Sequence, residues 1–192
     1  MEKGKAWFIE QWENKRFKVG TLFILAAGVG LTVEWFAFSY SVWKILRYLI
    51  LFAALFLIAW IDHDSKRIPN KILKALMVIR GILFIPEWLT YPGLGTAMLL
   101  SIGMGALLGG GMFLLAHFIS KGGVGMGDVK LFAVIGCYVG SGSIMSVAFL
   151  SALSGAVYSI SMLLLKKIKL KEEIPFAPFI FVGTMLTMVL GM

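Results

Sequence analysis

Gly122-Gly123-Val124-Gly125-Met126-Gly127-Asp128-Val129-Lys130 is a glycine-rich turn that ends on a carboxylate and passes at once into an apolar run. Glycine admits backbone angles and close approaches that other residues do not tolerate. Val129 to Val139 read as a helix, so Asp128 lies at or near a helix N-terminus, where the dipole favours an ionised carboxylate. A carboxylate enclosed by glycines and apolar residues is costly to keep charged. Its partner has to come from elsewhere in the chain.

The surroundings of this turn are apolar throughout. The 192 residues are 59% hydrophobic with a mean hydropathy of +0.90, which predicts an all-α polytopic membrane protein. The net charge of +8 does not argue for nucleic acid, because the cations cluster in short segments between apolar spans. The single cysteine, Cys137, lies in an apolar run and reads as a small packing residue, with no disulfide or CxxC zinc framework. The polar N-terminal stretch predicts no cleavable signal peptide.

About seven spans are expected, at 19–38, 42–61, 70–88, 95–119, 128–139, 144–165 and 176–190. Residues 1–18, with Trp7, Phe8 and Trp12 among charges, form either an interfacial helix or a disordered tail. Residues 19–192 form the membrane-embedded domain. Glu34 falls near the far interface, and Lys44 and Arg47 can snorkel at the outer end of the second span. Arg80 in the third span is read as snorkelling or bonded to backbone, with Pro86 and Trp88 marking that span's outer end. Gly105 and Gly109 form a GxxxG pair that predicts close helix packing, and Ser151 with Gly155 forms another small-residue pair. The piece from Asp128 to Val139 covers only about 18 Å, short of the roughly 30 Å hydrocarbon core. Either Asp128 is recessed in a wet cavity or the piece is part of a re-entrant hairpin.

Lys and Arg concentrate in residues 1–18, 63–74, 120–130 and 166–173. They alternate with poor segments, which predicts a cytoplasmic N-terminus and an outside C-terminus. That topology brings a second acid to the face of Asp128. In Trp60-Ile61-Asp62-His63-Asp64-Ser65-Lys66-Arg67-Ile68-Pro69-Asn70, Asp62 directly follows an apolar span. Asp64 reads as a solvated loop acid near Lys66 and Arg67. The bland alternative for Asp62 is a cap or an exposed loop position. Two carboxylates brought close share one proton, so one can act as base towards water while the other protonates an amide. Asp128, at its helix N-terminus, is weakly favoured as the ionised partner, and the pair is best described jointly.

Gly125-Met126-Gly127-Asp128 followed by Lys130, together with Asp62 and Ile68-Pro69-Asn70, resembles the GxGD intramembrane aspartic proteases of the bacterial type IV prepilin peptidase family. The resemblance covers about residues 42–190. Pro175-Phe176-Ala177-Pro178-Phe179 is similar to that family's proline-rich approach to its last helix, with Ala177 where Gly is usual. The resemblance implies Asp62 and Asp128 as catalytic pair, with Gly125, Gly127, Lys130 and Pro69 in the active-site loops. It implies a multi-pass enzyme of the prokaryotic plasma (inner) membrane, without cofactor or metal, that cleaves basic leaders of prepilins or pseudopilins at the cytoplasmic face. Many members carry a segment with paired CxxC motifs linked with N-methylation. No such segment occurs in these 192 residues, so peptidase activity alone is expected. Presenilin and signal-peptide peptidase share GxGD, but their other aspartate follows Tyr, whereas Ile61 precedes Asp62 here, and their Pro-Ala-Leu motif is missing.

Two rival readings use the same acids. Asp62, His63, Asp64, His117 and Asp128 could form a metal site, although the two histidines lack HExxH-type spacing. A small transporter could use the aspartates as proton or cation sites. The implied partners are leader peptides and the lipid bilayer, with no nucleic acid. The sequence leaves the oligomeric state open.

Overall fold

The computed structural model describes residues 15–121, 123–167 and 174–191. Residues 1–14, the basic residues of 168–173, and Gly122 of the glycine turn lie outside them, so the interfacial-helix expectation falls almost wholly outside the described residues. Seven α-helices are present and no strand occurs among the described residues: α1 (Lys15–Ala37), α2 (Val42–Ser65), α3 (Asn70–Thr90), α4 (Gly95–Ile119), α5 (Met126–Val139), α6 (Ile144–Leu164) and α7 (Ala177–Val189). The chain divides into two compact units, residues 1–40 and 41–192. Within the first, α1 presents Leu22, Phe23, Leu25, Val29 and Val33 to its surroundings, the exposure expected of a lipid-facing helix. Among the described residues, four helical stretches, Phe17–Ala37, Val42–Ser65, Pro92–Ile119 and Ile144–Leu164, are long and apolar enough to cross a membrane. The fold is that of an all-α membrane protein. Of the other helices, α3 carries four charges and α5 and α7 are short.

The second unit is organised around α5. Nine of its residues are buried, so from Leu131 onward it is enclosed, as a central helix must be. Glycines allow this enclosure. A Cβ on Gly105 of α4 would collide with the carbonyl of Gly136 on α5, a Cβ on Gly136 would collide with that of Gly105, and one on Gly109 would lie 2.6 Å from the carbonyl oxygen of Phe132. The backbones therefore touch, which is the close packing predicted from the GxxxG pair. The second small-residue pair works likewise: Ser151 of α6 sits against Gly183 of α7, and Gly155 accommodates Phe176 and Phe179. Tyr138 ties α5 to α3 by donating its hydroxyl to the Leu76 carbonyl at 2.7 Å.

The buried positions of α3 are Leu73, Leu76, Arg80, Leu83 and Glu87, one stripe at helical spacing that places two ionisable groups in the core. Arg80, 3% exposed, does not snorkel. Its Nε donates to the Cys137 carbonyl at 2.8 Å, satisfying an otherwise unpaired carbonyl in the last turn of α5. Its guanidinium also reaches Glu87 at 3.0 Å. Arg47 reaches the same carboxylate at 3.1 Å, which replaces the snorkelling expected of it. Helix α3 also runs through Pro86 to Thr90, past the boundary expected at Pro86 and Trp88. The Thr90 hydroxyl donates to the Pro86 carbonyl at 2.7 Å, and Glu87 closes the buried stripe. Removing one partner of a buried charge network is strongly destabilising, so Glu87→Gln should cost about 3–5 kcal/mol, measured as a lower unfolding midpoint of the detergent-solubilised protein.

Candidate active site

Asp62 ends the buried stripe of α2, which runs Ile45, Tyr48, Leu51, Phe52, Leu55, Ile58, Ala59, Asp62. The same periodicity that packs the helix thus carries the carboxylate inward, to 5% exposure. Neighbouring His63 and Asp64 fall off the stripe and are exposed. The Asp62 carboxylate meets the start of α7, where the N-cap, Phe176, has no side-chain acceptor. Asp62 Oδ2 accepts the Ala177 N–H at 3.1 Å, and the Phe176 N–H also acts on the carboxylate. Both partners of Asp62 are orphan donors of a helix N-terminus, a favourable setting for negative charge.

Asp128 occupies the first turn of α5. Its carboxylate folds back on the backbone N–H of the N-cap Gly125, half of a capping box. A Cβ on Gly125 would stand 3.1 Å from Asp128 Oδ2, so glycine keeps space for the carboxylate. Gly127 faces the α2–α3 loop, where a Cβ would lie 3.2 Å from that of Ile68. The preceding loop is fixed by His117, whose Nδ1 contacts the Val124 carbonyl, and by Ser120 Oγ, which accepts the Val124 N–H at 3.2 Å.

The two aspartates share one cavity of about 820 Å³, and the charge of Asp62 is felt at Asp128. Gly125, Gly127 and Lys130 also line it, with Lys66, Arg67 and Asn70 on the polar side. Lys130 Nζ donates to Asn70 Oδ1 at 3.4 Å, joining α5 to the start of α3. Pro69 is not on the cavity wall. It is the N-cap residue of α3, with φ −74° and ψ 111°, and sets the direction in which α3 leaves the loop. Lys66 and Arg67, read from sequence as topology determinants or partners of Asp64 and lipid phosphate, line the cavity. Among the described residues neither is ion-paired with Asp64.

Sequence reasoning missed the aromatic cluster beside the cavity. Phe113 and Phe132 stack with centroids 3.5 Å apart, and Phe176 lies 6.0 Å from Phe113. Their signal was the position of Phe132 one helical turn after Asp128. Phe132 is fully buried, while Phe113 and Phe176 give the cavity an apolar wall beside its polar residues, a setting suited to proton transfer at an uncharged chain segment. The rival metal set does not assemble. His63 and Asp64 are off the cavity, His117 is engaged with the loop backbone, and no cluster of three or more potential ligands occurs among the described residues.

A profile of the Type IV leader peptidase family matches residues 49–160, a stretch that includes both aspartates. Three bacterial proteins named prepilin leader peptidase/N-methyltransferase are similar to the chain. The one from Bacillus subtilis is 33% identical over 146 residues, which is 74% of this chain and 54% of that protein. The one from Aeromonas salmonicida is 28% identical over 149 residues, 78% and 50% respectively. The one from Burkholderia pseudomallei is 26% identical over 139 residues, 72% and 44%. The chain spans about half the length of these relatives. No solved structure matches it.

Proposed function

This chain belongs to the type IV leader peptidase family, and on that premise we propose that it is a membrane aspartic endopeptidase that cleaves the basic leader of type IV prepilins or pseudopilins at the cytoplasmic membrane face. The observation that carries the reading is the meeting of Asp62 and Asp128 on one cavity. Two facing carboxylates disfavour double ionisation and hold one proton between them. The ionised member takes a proton from water, and the resulting hydroxide attacks the scissile carbonyl. The other member donates its proton to the carbonyl oxygen, and a proton passes to the leaving nitrogen as the tetrahedral intermediate collapses.

The cations Lys66, Arg67 and Lys130 support the cytoplasmic assignment of this end, and with it a cytoplasmic N-terminus in the plasma (inner) membrane of a prokaryote. They also repel a basic leader, so the cavity takes the uncharged segment around the cut while the leader's cations lie towards lipid phosphate. The peptidase is assigned to the membrane-embedded residues 19–192, with 1–18 as a cytoplasmic segment. Asp62, Asp128, Gly125, Gly127, Lys130 and Pro69 are its proposed site residues.

The test is cleavage of a co-expressed prepilin by the full chain in membranes. Processing that persists in excess chelator is the expected result, and its loss on chelation would restore the metal reading. Gly127→Leu should yield folded protein with cleavage reduced about a hundredfold or more, because the added side chain drives Ile68 and the α5 start apart and misplaces Asp128. Normal cleavage by that variant would remove the close-approach role of Gly127.

A further inference from the structure

We infer that the cavity at the opposite end of the bundle, around Arg47, Arg80 and Glu87, binds a phosphate group. This cavity, of about 300 Å³, lies between the start of α2, the end of α3, the first half of α4, the end of α5 and the start of α6. Its charges do not balance. Two guanidinium groups converge on one carboxylate, and among the described residues Glu87 is the one acid ion-paired with either. Their side chains are only 15% and 4% exposed, so the excess positive charge is held out of water, where an uncompensated cation is costly. Arg47 Nε is itself buried and has no acceptor. Lys44 adds a further cation to the wall.

The remaining wall supplies donors. Ser41, Tyr91 and Ser143 line the cavity with hydroxyl groups. Ser41 and Ser143 are the N-cap residues of α2 and α6, so two positive helix ends face the same space. Paired guanidinium groups match the oxygens of a phosphate bidentately, and the hydroxyls and helix N-termini add donors for its remaining oxygens. Trp88 and Tyr91 at this end are partly exposed, at 52% and 39%, and Trp43 Nε1 donates to Thr90 Oγ1 at 3.0 Å. Such an aromatic belt lies at headgroup depth. The phosphate can therefore come from a phospholipid headgroup or from solution.

Native mass spectrometry of the full chain, extracted in mild detergent from membranes containing phosphatidylglycerol, separates the two sources. Retention of one phospholipid by the wild type, reduced about tenfold in Arg47→Gln, identifies the lipid as the source. A rise in unfolding temperature with inorganic phosphate but not with chloride, on delipidated wild type with no retained lipid, identifies the free anion. Arg47→Lys, which keeps charge but loses the fork, should fall between wild type and Arg47→Gln. Absence of both retained lipid and a phosphate effect in the wild type overturns the inference. So does retention that is unchanged in Arg47→Gln, which would place the lipid elsewhere. Where Arg47→Gln fails to fold, Arg47→Lys supplies the comparison, and retention unchanged in that variant likewise overturns the inference.

Discussion

Asp128→Asn and Asp62→Asn are each expected to leave a folded protein in the membrane while prepilin accumulates uncleaved. Asparagine has the shape of aspartate but cannot exchange a proton near neutral pH, so either change should lower cleavage by about 10²–10⁴-fold. The two variants bear on different alternatives. Asp62 accepts the Ala177 N–H, and a helix cap is by itself a sufficient structural reason for an acid there. An asparagine oxygen still accepts that bond, so Asp62→Asn preserves the cap and removes only the proton chemistry. Asp62→Ala removes both and should also lower the unfolding temperature. Normal cleavage by Asp62→Asn with a defect in Asp62→Ala would leave Asp62 as a cap alone. Normal cleavage by either asparagine variant would overturn the two-aspartate mechanism.

The second large effect concerns the fold. Gly105→Leu or Gly136→Leu should prevent accumulation of folded protein, because each side chain would occupy the space of the facing backbone on α5 or α4. Neither backbone can yield without displacing α5, so the expected cost is about 3 kcal/mol or more. Position decides the outcome more than residue type. Gly103 and Gly111 lie on α4 with nothing within 4 Å of where a Cβ would stand, and the same substitution there should leave folded yield unchanged. Equal loss at all four positions would mean that helix propensity, and not contact with α5, sets the requirement for glycine. Yield and unfolding midpoint in detergent measure the difference.

The chain's hydropathy and its spacing of small residues made the helices and the α4–α5 contact legible, because both depend on local pattern. The alternation of basic segments predicted one shared end for the two aspartates, and the end of α2 and the starts of α3, α5 and α7 do meet there. The buried ion network was harder to see. Arg80 and Glu87 fall on one stripe of α3, but helical spacing alone does not show that the two side chains meet. Arg47 looked free to reach water because sequence does not reveal a carboxylate 40 residues away. The sequence weakly favoured Asp128 as the ionised partner from its own helix alone. The structure adds a helix N-terminus for Asp62 as well, supplied by α7, so the dipole argument no longer separates the two.

The bond from Ala177 to Asp62 joins residues 115 positions apart, which has a consequence for biosynthesis. Translation delivers Asp62 and then Asp128 to the membrane well before α7 emerges. Until that helix docks, Asp62 lacks the two backbone donors that orient it, and the cavity lacks the wall made by Ile174, Pro175 and Phe176. A nascent chain therefore carries both acids without a finished pocket. Under the peptidase reading, the site is complete only once α7 has docked against Asp62.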